Sequence, residues 1–199
     1  MEEHDILKIV KEDILRLLAE ESGNKSPLEF VKSEIKASSS LMSQAIKELE
    51  AENLIQAGQD SVALTKQGQS RASNILEKHL TVERYLEKTR SKREAHEAAH
   101  VLEHYISHEV IDNLKELSTL GKQGIPLTEF KFNTEGIITD INPTDFRLFE
   151  RLISMGIVPG ERIKITNRIG HTTIATVNRV FAIGEDVAQG IEVLEHERT

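Results

Sequence analysis

Apolar residues recur at intervals of three and four from Ile6 to about Ser73, the period of helices that bury one face. Three pieces carry the pattern: ILKIVKEDILRLLAEE, SPLEFVKSEIK and SSSLMSQAIKELEAENL. Serines stand ahead of the second and third, where hydroxyls cap the first backbone N–H groups of a helix. LIQAGQDSVALTKQG breaks the period, because two short alternating runs flank Gly58-Gln59-Asp60, and this predicts a β-hairpin. From Ala72 to about Leu120 there is neither proline nor glycine. That stretch reads as two helices divided near Thr89 to Arg93, ILEKHLTVERYLEK and EAHEAAHVLEHYISHEVIDNLKEL. GKQGIPLTEFKFNTEG, with three glycines and a proline in sixteen residues, reads as a linker. From Gly136 the pattern turns to strands, GIITDI, ERIKITNRI, HTTIATVNRV and GIEVLE, interrupted by one helical piece, PTDFRLFERLISMGI.

These elements predict an α+β chain with an N-terminal winged helix-turn-helix over 1–73 and a helical domain over 74–120. A linker over 121–135 and a small β-barrel over 136–199 complete it. In a winged helix-turn-helix the second helix of the motif enters the DNA major groove with its N-terminal residues towards bases and phosphates. Ser38, Ser39, Ser40, Ser43 and Gln44 are short donors and acceptors at that place, with Lys47 one turn later. Serines ahead of a helix are equally explained as caps.

Composition adds constraints. At 38% hydrophobic and 29% charged residues, with no apolar run near the length of a membrane helix and charges from the second residue, a cytoplasmic protein without signal peptide or membrane span is expected. Cysteine is absent, so any metal site must be built from His, Asp and Glu. A net charge of -8 weighs against a nucleic-acid partner, and residues 1–73 themselves hold nine Lys/Arg against thirteen Asp/Glu. Charge is a sum over faces, however, and several of those acids lie in the first helix, away from the expected groove-facing residues.

The helical stretch holds the chemistry. His96, His100, His104 and His108 follow one another at intervals of four, beside Glu97 and Glu103. At about 100° per residue, His100, Glu103 and His104 project from a sector roughly 60° wide and can converge on one ion. The preceding helix offers His79 and Glu83, also four apart, which with His96 make a second cluster. Nitrogen and carboxylate donors together suit Mn, Fe, Co, Ni or Zn and argue against calcium. One such pair is ordinarily a solvated helix face; two successive helices carrying the pattern make a metal site the better reading. His108, His4, His171 and His196 are read as ordinary surface residues. The letters H-E-A-A-H at 96–100 also match a zinc hydrolase motif, with Glu97 as base and His96 and His100 as ligands. No third ligand helix or substrate groove is evident downstream. A metal-storage or ferrous-transport accessory role would leave the winged helix unexplained.

The order of these parts, together with KHLTVER, HEAAHVLEHYISHEV and LTKQG, resembles the metal-dependent repressors of the diphtheria-toxin-repressor and manganese-transport-regulator family. The C-terminal stretch, above all RLISMGIVPGERIKI, is similar to the SH3-like domain that these repressors share with FeoA proteins. The resemblance implies an ancillary site at His79, Glu83 and His96 and a primary site at His100, Glu103 and His104, completed by Asp13 in EDILR of the first helix. Aspartate at that position leans towards Mn(II). His100 matches neither the iron-type nor the manganese-type pattern, so Fe(II) and Mn(II) are both implied and Zn(II) is compatible. No C-terminal ligand is carried over. The implied function is repression by a homodimer on a palindromic double-stranded operator, with the metal ion clamping the DNA-binding unit. The apolar faces of ILEKHLTVERYL and AAHVLEHYISHEVIDNL exceed what they can bury on each other, so they are expected either in a two-fold interface or against the third domain.

Overall fold

The computed structural model describes residues 3–21, 23–120, 124–143, 145–168, 171–176 and 179–195. It divides into two compact units, Met1–Leu80 and Thr81–Thr199.

The first unit runs α1 (Glu3–Glu20), β1 (Lys25–Pro27), α2 (Leu28–Glu34), α3 (Ser39–Ala51), β2 (Ile55–Ala57), β3 (Ser61–Leu64) and the start of α4 (Lys66–Leu86). Val10, Ile14 and Leu18 of α1 meet Val31 of α2, Met42, Ala45 and Leu49 of α3 and Val62 of β3 in one core, the face that the three-and-four spacing selects. The expected hairpin is present, with Ile55 opposite Leu64 and Ala57 opposite Val62. β1 adds a third strand against β3, giving the order β1-β3-β2. Three residues are too short to show alternation, so β1 has no sequence signature.

Ser38 caps α3 as expected, its Oγ accepting from the Leu41 N–H at 3.2 Å. Ser26 does not cap α2: it is buried in β1, and Pro27 takes the cap position. Proline suits a helix start because it lacks the N–H that would otherwise need a partner. α3 ends on Asn53 at φ 56°, with Leu54 N–H donating to Leu49 C=O and Asn53 N–H to Glu50 C=O, both at 2.9 Å. That left-handed turn closes the helix and aims the chain into β2. Lys11 of α1 bonds Glu48 of α3 at 3.2 Å and also pairs with Glu52, so α1 and α3 are joined by a shared core and by charge.

The second unit holds the rest of α4, then α5 (Lys92–Leu102), α6 (His108–Leu120), β4 (Ile125–Pro126), β5 (Glu135–Ile141) and α7 (Phe146–Ser154). It continues with β6 (Arg162–Asn167), β7 (Thr172–Ala175), β8 (Val180–Ile183), α8 (Glu185–Gln189) and β9 (Ile191–Glu195). The strands form an antiparallel sheet in the order β4-β9-β5-β6-β7-β8.

The structure differs from the sequence reading in three places here. The second expected helix is two, because Tyr105 N–H turns back to Leu102 C=O at 2.9 Å and Ser107 Oγ caps α6 by accepting from Val110 N–H at 3.2 Å. The stretch expected as a linker instead contributes β4, with Ile125 opposite Val193, and buries Leu127 and Phe130. HTTIATVNRV is not one strand: Thr176 N–H donates to Arg179 C=O at 2.8 Å and β8 returns antiparallel, Ala175 opposite Val180. Of the two covers expected for the apolar helical faces, the third domain supplies much of the one for α6, because Ile111, Leu114 and Leu117 share one core with Ile138, Ile153 and Val193.

RLISMGIVPGERIKI needs its two glycines for different reasons, a left-handed turn at the first and a close approach at the second. Gly156, at φ 86°, ends α7, and Ile157 N–H donates to Leu152 C=O at 3.0 Å. Gly160, at φ 87°, lies where a Cβ would stand 2.8 Å from Val110 C=O of α6. Its own carbonyl accepts from the buried Asn113 Nδ2 at 2.8 Å, which fastens α6 to the sheet.

Candidate metal centre

The start of α5 is fixed by a reciprocal cap: Ser91 Oγ accepts from Glu94 N–H at 3.4 Å, and the Glu94 carboxylate accepts from Ser91 N–H at 3.1 Å. The Ser91 hydroxyl and N–H hold the Glu94 carboxyl below its ordinary pKa. With the start pinned, the phase of the helix is set. Ala95, Ala98, Ala99 and Leu102 face inward, and three alanines among the four let the helix pack closely. His96 and His100 therefore lie on one outer stripe, a single turn apart.

Their Nε2 atoms are 3.0 Å apart, with the rings edge to face. At that separation one ring N–H can donate to the other nitrogen. It is also about the edge between neighbouring corners of a coordination sphere with bonds near 2.1 Å. The other nitrogen of His96, Nδ1, lies 3.3 Å from Glu83 Oε1 of α4. On the inner side, a carboxylate oxygen of Glu103 is within 4.8 Å of a ring nitrogen of His100. Glu103 caps the end of α5, and its Oε1 is 3.6 Å from Nε2 of His104 in the turn that follows.

Glu83, His96, His100, Glu103 and His104 thus form a string whose most exposed member is His96 and whose far end is buried. The His96 side chain is 47% exposed, whereas those of His104 and Glu103 are 6% and 0% exposed. The sequence reading divided these residues into two triads; the structure joins them through the His96–His100 pair. The donor chemistry fits a borderline divalent ion, with imidazole nitrogen and carboxylate oxygen as its only donor types. The Glu103 side chain is fully buried, and an ion there would place opposite charge beside its carboxylate.

The remaining expected residues fall as follows. His79 is buried on α4, one turn before Glu83. Asp13 is half-buried on α1 in the first unit. Ser38, Ser39, Ser40, Ser43, Gln44 and Lys47 are all exposed on or beside α3. Ser38 serves as the cap, Ser43 Oγ donates to Ser39 C=O at 2.8 Å, and Gln44 Nε2 donates to Glu48 at 3.1 Å. Glu97, the base of the hydrolase alternative, is on the solvent side of α5, 3.9 Å from Arg93. His108 and His171 are exposed as expected; the side chain of His4 and all of His196 lie outside the described residues.

Residues the sequence reading passed over sit at the corner between α4 and α5. Arg90 forms an ion pair with Asp140 of β5 at 2.7 Å, and Tyr85 Oη donates to Thr139 C=O at 2.8 Å. No spacing rule joins positions so far apart in the chain.

Residues 65–119, which hold the whole string, match the family model described as "Iron dependent repressor, metal binding and dimerisation domain". Residues 125–195 match the FeoA domain model. Similar solved structures include a manganese-dependent transcriptional repressor in complex with manganese, 22% identical over 93% of this chain and 99% of that one, with a TM-score of 0.47. Another is IdeR of T. acidophilum, 20% identical over 98% and 99% of the two chains, with a TM-score of 0.44. The iron uptake regulatory protein FeoA is 30% identical over 35% of this chain and 92% of its own, with a TM-score of 0.31. No curated protein matches the chain.

Proposed function

We propose, on the premise that the chain belongs to the family of metal-dependent repressors of the diphtheria-toxin-repressor and IdeR type, with a dimerisation domain and a C-terminal FeoA domain, that Fe(II) or Mn(II) activates it to bind a palindromic operator as a homodimer. The family is one of transcriptional repressors and not of enzymes. Among the described residues no helix is long and apolar enough to cross a membrane.

The observation that carries the proposal is the buried Glu103–His104 pair continuing into His100 and His96, all within the matched metal-binding segment. His100, Glu103 and His104 would hold the primary ion with Asp13, and His79, Glu83 and His96 the ancillary one. Zn(II) is compatible with the same donors. Bound there, the ion supplies positive charge and coordination bonds, nothing more.

What the chain's own residues do follows from α1. Asp13 lies on the helix whose Ile14 and Leu18 share a core with α3, and whose Lys11 pairs with Glu48 and Glu52 of α3. Fixing the Asp13 carboxylate therefore fixes α3, with Ser39, Ser40, Gln44 and Lys47 on its exposed side. A ligand shifts such an equilibrium only by its preference for one state; a 100-fold preference corresponds to about 2.7 kcal/mol. In a two-fold dimer this would set the spacing of two recognition helices against half-sites about one helical turn, or a multiple, apart. In this scheme DNA binding belongs to residues 1–73 and metal binding with dimerisation to 74–120.

The test is an electrophoretic shift on the DNA upstream of the protein's own gene, titrated in turn with Mn(II), Fe(II) and Zn(II). A metal-dependent gain of about 100-fold in affinity, lost with Gln44→Ala in α3, is expected. Tight binding in chelator, unchanged by metal, would contradict the proposal. A hydrolase using Glu97 would lose its function in Glu97→Gln, a substitution expected to leave metal-dependent DNA binding intact.

A further inference from the structure

The corner between α4 and α5 is held from outside by the C-terminal sheet. Arg90, the residue before the Ser91 cap of α5, places one guanidinium nitrogen 2.7 Å from Asp140 Oδ1, 2.7 Å from Ile141 C=O and 3.2 Å from Asn142 Oδ1. Asp140 is buried at 4% exposure and is itself oriented, accepting from Ile141 N–H at 2.8 Å and from Asn142 Nδ2 at 3.1 Å. Tyr85 of α4 adds a second tie to the same strand through Thr139 C=O, and burial, followed by the charges of Asp140 and Glu192, pushes its hydroxyl up to about 12. A neutral Tyr85 thus donates across the whole physiological pH range.

This corner is the pivot of the donor string. Glu83 lies seven residues before Arg90 and His96 six residues after it, on the two arms of the helix pair. Glu83 stands three residues before the end of α4 and His96 four after the start of α5, so at about 1.5 Å per residue each helical arm is roughly 5 Å long. A change of about 6° in the opening of the arms would move one donor relative to the other by about 0.5 Å. Coordination tolerates deviations of only about 0.2 Å.

We infer that Arg90 and Asp140 form a clamp through which the FeoA domain sets the spacing of Glu83 and His96, and with it the affinity for metal. Arg90 is on this account a positioning residue that never touches the ion. The inference rests on the reading of Glu83 and His96 as metal donors. It gives the C-terminal domain a part in metal sensing that requires no ligand from it.

Cobalt(II) titration of the full chain, followed by its ligand-field absorption, tests this. Arg90→Gln, which breaks the clamp, should weaken Co(II) binding about tenfold and alter the ligand-field bands. Arg90→Lys keeps the charge opposite Asp140 and should restore binding to within about threefold of wild type. Tyr85→Phe, the gentler variant should Arg90→Gln fail to fold, should weaken binding about threefold with the metal-free melting temperature little changed. Glu83→Gln is the control for the donors themselves. If Glu83→Gln weakens cobalt binding while Arg90→Gln and Tyr85→Phe match wild type in affinity and spectrum, the clamp is wrong. If Glu83→Gln itself matches wild type, the donor assignment fails and the clamp with it.

Discussion

Replacing Glu103 by glutamine is expected to erase the metal-dependent part of DNA binding, a loss of about 100-fold in saturating Mn(II), while leaving the metal-free protein at least as stable as wild type. The two halves of this expectation have one cause. The Glu103 side chain is fully buried and lies 3.6 Å from His104. A buried carboxylate costs several kcal/mol to desolvate unless opposite charge offsets it. Glutamine keeps the volume and removes the buried charge with its desolvation cost. The same exchange deletes the anionic donor at the inner end of the string, the one for which two imidazoles cannot substitute. Thermal melts with and without Mn(II), alongside operator titrations, check both halves. The expected signature is a metal-induced rise in melting temperature present in wild type and absent in the variant. A variant that still gains affinity with metal as wild type does would remove Glu103 from the site.

Gly68→Ala should be the most damaging small substitution in the first unit, lowering its stability by about 3 kcal/mol and its melting midpoint by roughly 10–20 °C. A Cβ at Gly68 would stand 1.8 Å from the Leu54 carbonyl oxygen and 2.8 Å from its carbon, both backbone atoms that cannot rotate away. Alanine's better helix propensity, about 1 kcal/mol, recovers only part of this. The close approach is built by Thr65: its N–H donates to Leu54 C=O at 3.0 Å, its hydroxyl to Asn53 C=O at 2.7 Å, and its Oγ1 accepts from Gly68 N–H at 2.9 Å. LTKQG therefore fastens the first turn of α4 to the corner between α3 and β2. Because α4 continues to His79 and Glu83, this substitution should also weaken DNA binding without touching any residue proposed to face DNA. A midpoint within a few degrees of wild type would show that the turn is looser than the contact implies.

Much of this was legible in the chain. The helical period of α1, α3 and α5 selected the faces now found in the two cores, because amphipathic spacing reports burial directly. The ladder at His96 and His100 and the pair at His79 and Glu83 were visible for the same reason. What escaped has equally physical causes. A break in a helix that costs one turn and gains a serine cap, as at Glu103 to Ser107, leaves the apolar spacing nearly intact. The short strands β1, β4 and β8 lack the turn signature that marked β2 and β3 at Gly58-Gln59-Asp60, and exist through their partners. The Arg90–Asp140 pair depends on how the sheet folds back, and it leaves no local mark. The apolar face of α6 was read correctly as needing a cover, and much of that cover is supplied within the chain.

The most direct test of the account is a crystal structure grown in saturating Mn(II), with the metal located by its anomalous signal. The account predicts a cation bonded by Glu103 and His104 with the Asp13 carboxylate of α1 at about 2.2 Å. A cation held by His100, Glu103 and His104 with Asp13 out of reach would contradict it, since metal binding would then have no grip on the helix that carries α3.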